Sequence, residues 1–515
     1  MHHAGSAAEL STVVDIILRE GRPRGLILST AATVQPGVTP KTIVWGPMAI
    51  GEEDPLQRGL MKVPAGDGIT VLGVPVGYNR FVREKMEEKI EKVRIITESL
   101  PLLKDPHCEF VLLRSCLALP KIMFLLRALD TSEFVEQLQT FDSITRGALS
   151  RILGTSVSDA QWLQAKLPAS MGGLGLRSAE DHAPIAYATS LLASRTLTQK
   201  LLSQVDDDEP PQLPQPVLDN IAIKQGEIST AEAFVGVSQR AASLKIDQFN
   251  HSLLLNHYTE EGVDREIARM ASLGLPHAGD WLSVVPSPAL GLHLKPAEFV
   301  PSLKYRLGIP LFSSEGPCPA CSVLNDRMGD HALGCAKYGD RIARHDMLRE
   351  VIFEAAASAA LAPVREERHL LPGTAARPGD VLIRRWHDGK DGALDVTVTG
   401  PLAKTNVRAA AAEAGSSLSK AFDRKVQGAA AACQAQGLVF LPLAVETLGG
   451  IHRVAVEQLK RLGPAVGRHQ GCDERVSSRQ LFQRLSLTLM RGNAALITGR
   501  RPDDDIVSAT VDGIE

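Results

Sequence analysis

RPGDVLIRRWHDGKDGALDVTVTG, residues 377–400, reads as two β-rich runs, 381–386 and 394–399, on either side of HDGKDG. Asp-Gly pairs provide the left-handed backbone of a tight hairpin turn. Asp380 opens the first run and Asp395 lies in the second, so a turn near Gly389 brings the two carboxylates together. Two carboxylates on adjacent strands suit a hard cation such as Mg2+, which binds a phosphodiester oxygen and activates water. Aspartates at a hairpin base equally cap or solvate turns. A lysine that offsets charge on phosphorus is the usual third partner, yet Thr397 stands two residues after Asp395.

The helix that follows offers Lys420 and Lys425 ahead of an apolar strand at about 438–445. At ~100° of rotation per helical residue, two side chains five apart point about 140° away from each other. Only one of these lysines can face the carboxylates. Residues 346–455 thus alternate helix, hairpin, long helix and strand, an α/β pattern.

Immediately upstream, CPACSVLNDRMGDHALGC (318–335) spaces Cys318, Cys321, His331 and Cys335 as C-x2-C-x9-H-x3-C. Three thiolates and an imidazole complete a tetrahedral zinc shell with no open position, so the expected Zn2+ is structural. Seven cysteines in 515 residues, otherwise scattered, argue against a secreted disulfide framework and for a reducing, intracellular setting. The first residues lack a basic start and apolar core, so no secretory signal is expected. No apolar run is long enough to span a bilayer, and no membrane role is expected.

The N-terminal part is different. Short strands and turns end in DGITVLGVPVG (67–77), and from Val82 the apolar residues Met86, Ile90, Val93 and Leu100 recur at helical spacing. A second helix is expected over about 107–128. A third should open at a capping box, Asp130 with Glu133, and close at Gly154. SQVDDDEPPQLPQPV (203–217) reads as a linker. The net charge is −3, so any nucleic-acid surface must be local. Arg341 and Arg344 in RIARH, with His345, and Arg384 and Arg385 in IRRW are the expected phosphate contacts.

In this order, LGVPVGYNRFV (72–82), LLRSCLALPKIMFLLRAL (112–129), LPASMGGLGLRSAEDHA (167–183), the cysteine cluster through RIARHD, RPGDV…ALDVTV and GLVFLPLAVETLGG (437–450) resemble the carboxy-terminal part of non-LTR retrotransposon polyproteins carrying a restriction-like endonuclease. The resemblance implies a multidomain α+β chain. Its parts would be a palm remnant (1–78), a helical thumb-like domain (79–200), a linker region with helices (201–311), a zinc knuckle (312–345), an α/β restriction-endonuclease-like core (346–455) and a helical then acidic tail (456–515).

It also implies Asp380 and Asp395 as Mg2+ ligands, Lys425 as the catalytic lysine, and Arg344-His345 as an Arg-His pair beside the knuckle. The family's Lys-x-x-Lys-Tyr helix is broken here by Gly428 and Ala429. No Tyr/Phe-x-Asp-Asp turn precedes the thumb-like helices, so the chain is not expected to be a reverse transcriptase on its own; Asp206–Asp208 and Asp503–Asp505 read as solvated charge. The implied partners are DNA, the element's RNA and an intact retroelement polymerase, in the nucleus when DNA is the target. Two functions remain: a Mg2+-dependent nicking module for target-primed reverse transcription, or an inactive remnant that binds nucleic acid through knuckle and thumb.

Overall fold

The computed structural model describes residues 68–202, 212–225, 230–368, 370–371 and 377–501, with Arg19 and two parallel strands, β1 (Ile43–Gly46) and β2 (Met61–Pro64). Most of the expected palm remnant, residues 203–211 of the expected linker, and Asp503–Asp505 lie outside the described residues.

β3 (Ile69–Val71) and β4 (Val74–Val76) pair as a hairpin that leads into α1 (Asn79–Ser99). α1 buries Val82, Met86, Ile90 and Val93, the face expected from their spacing. The single helix expected next is instead broken into α2 (Pro106–Leu112), a π turn over Leu113–Leu117, a 3-10 turn over Leu119–Lys121 and α3 (Met123–Ala128). Pro120 cannot donate to a helical carbonyl and disfavours helical backbone at Leu119, and Ala118 leaves the helical region at ψ −147°. α4 (Val135–Leu153) also starts later than expected. Asp130 Oδ1 accepts from the Ser132 N–H and hydroxyl at 2.9 and 2.7 Å, and Glu133 accepts from Asn79 Nδ2 at 3.1 Å, so no capping box forms. Gly154 does close α4, at φ 64°.

α5 (Asp159–Lys166) and α6 (Ala179–Leu202) flank the glycine-rich turn. There a Cβ on Gly173 would collide with the Leu167 carbonyl. Helices α7 (Gln215–Gln225), α8 (Gln239–Glu260), α9 (Asp264–Leu273) and α10 (Pro296–Arg306) follow. Arg306 is buried and donates to the carbonyls of Gly173, Ala278 and Ala169 at 3.1, 2.9 and 2.9 Å, tying the turn to α10. Next come β5 (Gly316–Pro317), β6 (Leu324–Asn325), the short α11 (Asp330–Gly334) and α12 (Asp340–Ser358).

A four-stranded sheet is built from β7 (Val364–Arg365), β8 (Val381–His387), β9 (Lys390–Thr399) and β10 (Val439–Glu446), in the order β10-β9-β8-β7. β7, β8 and β9 are antiparallel, and β10 returns parallel to β9 after α13 (Val407–Ala412) and α14 (Ser416–Ala435). The hairpin and the later strand share one sheet, as expected. His387 pairs with Lys390, leaving Asp388 and Gly389 at φ 50° and 77° as the two-residue turn. Val381, Leu382 and Ile383 are all buried, because the sheet is covered on both faces. Leu348 and Ile352 of α12 pack on one side, and Leu418 and Ala421 of α14 on the other.

α15 (Arg453–Gln470) and α16 (Glu474–Thr498) make the stretch beyond residue 456 helical, as expected. α16 is buried on most of its circumference, through Leu481, Phe482, Leu485, Leu487, Leu489, Met490 and Leu496, so it is a central core helix. The expected thumb-like part has an apolar cluster of its own, with Met86, Leu126 and Phe141, and a second cluster crosses the expected boundaries. It joins Phe110 and Leu149 of the thumb-like part, Trp281 and Phe299 of the expected linker region, Ile383 and Leu394 of the sheet, and Leu485 of α16. The whole is a mixed α+β structure, with no described helix long and apolar enough to cross a membrane.

Candidate metal centre and nuclease site

The β5–β6 hairpin turns on Cys318, whose N–H donates to Val323 O at 2.8 Å and whose carbonyl accepts from Ser322 at 2.7 Å. Opposite it, the Asp326 carboxylate caps α11 by accepting from the Asp330 and His331 N–H groups at 3.0 and 2.7 Å. The four ligand atoms of Cys318, Cys321, His331 and Cys335 lie within 4.8 Å of one another. Cys321 Sγ is 3.2 Å from His331 Nε2, and Cys318 Sγ is 4.0 Å from Cys335 Sγ. A tetrahedron with bonds of ~2.3 Å has edges of roughly 3.8 Å, so these atoms surround space for an ion such as zinc.

Residues remote in sequence brace this centre. Arg265 of α9 donates as a fork to Asp330, at 2.6 and 3.0 Å, and the Tyr305 hydroxyl adds a bond of 3.0 Å to the same carboxylate. Arg500 is fully buried; it donates to Asp340 and to Lys337 O, and its own carbonyl accepts from Asn325 Nδ2 at 2.6 Å. Burial raises the Cys318 thiol. At Cys335 burial acts the same way, but the Lys337 backbone N–H and Arg500 outweigh it and hold that thiol below its ordinary value.

The second site is at one end of the sheet. A Cβ on Gly379 would lie 3.0 Å from Ala393 Cβ, so glycine gives the chain its close approach to β9. Asp380 then donates its N–H to Leu394 O at 2.8 Å, and its Oδ2 accepts from the Val396 N–H at 2.6 Å. Val381 pairs with Leu394, so Asp380 and Asp395 are the adjoining residues on neighbouring strands. Lys425 Nζ of α14 lies 2.7 Å from Asp395 Oδ2 as an ion pair, and that buried oxygen takes no well-aligned hydrogen bond. Burial raises the Asp395 carboxyl; Lys425 opposes this, and the charge on Asp380 adds to it. Lys420 is exposed and donates to Asn406 Oδ1 at 3.3 Å, so it faces away.

The arginine expectations divide. Arg341 is exposed, with only a 3.3 Å bond to Gly334 O. Arg384 is exposed and paired with Asp391 at 2.8 Å, and the Arg385 N–H donates to the same carboxylate at 2.9 Å, near the turn and away from Asp380. Arg344 is a correction: it is 3% exposed between α12 and α16, donating to Asn493 Oδ1 at 2.8 Å, and burial pushes its guanidinium down to about 10. A buried guanidinium cannot reach a phosphate. His345 is half-buried, with Nε2 3.0 Å from Asp380 Oδ2 and 3.1 Å from Val396 O. The bond to Asp380 raises its pKa despite burial. Gly428 lies three residues, about 60° of helix, from Lys425, and a Cβ there would meet nothing.

No protein-family model matches the chain, and no curated protein matches it.

Proposed function

We propose that this chain derives from the carboxy-terminal part of a non-LTR retrotransposon polyprotein and is a Mg2+-dependent DNA endonuclease module. Its role would be to nick nuclear target DNA so that a polymerase, supplied by an intact element, can prime on the new 3′ end. The observation that carries this is the Lys425–Asp395 pair at 2.7 Å, with Asp380 on the adjoining strand. The helix–three strands–two helices–strand order from α12 to β10 agrees with a restriction-like core.

The residues fit a hard divalent cation, since both acids offer carboxylate oxygens and, among the described residues, the donors to the Asp380 carboxylate both fall on Oδ2. Mg2+ held by Asp380 and Asp395 would supply positive charge to a phosphodiester oxygen and an activated water. Burial raises the Asp395 carboxyl and Lys425 opposes that rise, and its ammonium stands where charge would develop on the leaving oxygen. Zinc in the cysteine–histidine centre would be structural, holding the knuckle against α9, α10 and the end of α16.

A second reading, an inactive remnant that binds DNA or the element's RNA, is favoured by one observation: Gly428 and Ala429 leave the helix face beside Lys425 without the family's second lysine and tyrosine. Nicking of supercoiled plasmid in Mg2+ separates the two. The nuclease reading expects slow nicking, abolished by Asp395→Ala, reduced at least about 100-fold by Lys425→Ala, and unchanged by Lys420→Ala. Nicking that survives Asp395→Ala refutes it. Absent nicking with DNA affinity that falls steeply with salt supports the remnant.

A further inference from the structure

His345 is anchored where sequence expectation had it meeting phosphate. It projects from α12, with Nε2 3.0 Å from Asp380 Oδ2 and 3.1 Å from Val396 O, and Nδ1 3.3 Å from Asp346 Oδ1. Both partners of Nε2 are acceptors, so that nitrogen carries the hydrogen. Asp346 is itself held by Arg349 at 3.1 Å, which also pairs with Glu366. The imidazole therefore bridges a helix to both strands of the candidate site: the carboxylate that opens β8, and the carbonyl immediately after Asp395 on β9.

Asp380 Oδ2 receives two donors, His345 Nε2 and the Val396 N–H at 2.6 Å. Two donors on one oxygen fix the rotation of the carboxylate. Among the described residues no hydrogen bond reaches Asp380 Oδ1, so the oxygen left for a cation is set by what holds the other one. We propose that His345 is a positioning residue which locks Asp380 Oδ2 and so presents Oδ1 to the divalent cation. This rests on the nuclease reading. It accounts for a histidine whose ring nitrogens are both engaged by protein acceptors and which has no donor left for a phosphate. Carboxylates that ligate metals need such outer partners, and losing one weakens metal affinity about 10–100-fold.

The test uses the full chain with its zinc and reads Mn2+ binding by electron paramagnetic resonance, with Mn2+ standing in for Mg2+. Asp395→Ala identifies the site, and zinc content with far-ultraviolet circular dichroism reports the fold. His345→Ala should weaken the Asp395-dependent Mn2+ site about 10–100-fold. His345→Gln should restore it, because the glutamine amide can place an N–H where Nε2 stood. A merely structural role would lower the thermal midpoint of both variants and leave Mn2+ affinity unmoved. If His345→Ala does not fold, His345→Asn replaces it, since its shorter amide cannot reach Asp380; equal affinity in the Asn and Gln variants overturns the proposal. Unchanged or tighter Mn2+ binding in His345→Ala overturns it and leaves the nuclease reading intact. Absence of any Asp395-dependent Mn2+ site in the unmodified protein overturns both.

Discussion

Replacing Arg344 separates a side chain that builds the structure from one that meets nucleic acid. Its guanidinium is 3% exposed, donates to Asn493 Oδ1 at 2.8 Å, and packs so closely that a Cβ on Gly492 would lie 2.5 Å from its Cγ. Arg344→Ala removes a charged hydrogen bond worth about 1.5–3 kcal/mol. It also opens a cavity where large-to-small changes cost about 2–5 kcal/mol. Against this, a guanidinium held at about 10 carries an unfavourable burial of roughly 3 kcal/mol, which disappears with the charge. The net expectation is a loss of about 2–4 kcal/mol for Ala. For Arg344→Met it is about 0–2 kcal/mol, because the methionine fills the volume and relieves the burial while Asn493 Oδ1 loses its donor. Arg341→Ala, three residues earlier and exposed, should stay within about 0.5 kcal/mol. It should instead lower the salt slope of DNA binding by about 0.9 if that arginine meets a phosphate. Urea unfolding and a salt series of DNA affinity on the three variants decide the matter. A native urea midpoint for Arg344→Ala, combined with a reduced salt slope, would refute the burial argument.

Zinc should be present at one equivalent per chain, and Cys321→Ala should lose it; metal analysis showing zinc unchanged in that variant would remove the metal centre. Gly428→Ala, in a helix interior with open space around it, should stabilise the protein by about 0.5–1 kcal/mol in urea unfolding. Gly428→Lys should raise plasmid nicking above that of the unmodified chain, and a lower rate would count against its place beside Lys425. Burial pushes His107 down to about 4 from 6.5, so the unfolded chain binds its proton more readily than the folded one. Its contribution is therefore complete above pH 6.5 and is lost as pH falls toward 4, by roughly 3 kcal/mol in all. His107→Gln should accordingly gain stability relative to the unmodified protein as pH falls through that window, and a pH-independent difference would contradict the buried neutral imidazole.

Much of the candidate site was legible because its signals are local. Asp388-Gly389 sets the hairpin, and the hairpin sets Asp380 beside Asp395. The rotation between Lys420 and Lys425 anticipated that only one would face the acids. The cysteine spacing anticipated the knuckle in the same way. What escaped depends on partners far apart in sequence. Nothing near Arg344 says that Asn493 will cover it, and nothing near Asp330 points to Arg265. The central position of α16 did leave a trace, since Leu481, Phe482, Leu485, Leu487 and Leu489 fall on more than one helix face, as in a buried helix. Packing across the expected domain boundaries was not legible for a related reason. Trp281 and Phe299 lie in a segment of loops and short helices, and only tertiary packing shows that they join the thumb-like helices to the sheet.

The grip of Arg500 on the knuckle imposes an order in time. Chains are made from the N-terminus at about 5–20 residues per second and begin to fold as they emerge. Cys318 to Cys335 leave the ribosome first and can close on a metal while Asp340 and the Lys337 carbonyl await their partner. That partner arrives only after β7 to β10 and both long helices behind them have been made. The knuckle is thus a receptor synthesised ahead of its ligand, and α16 locks it only when the sheet between them is ready to be covered.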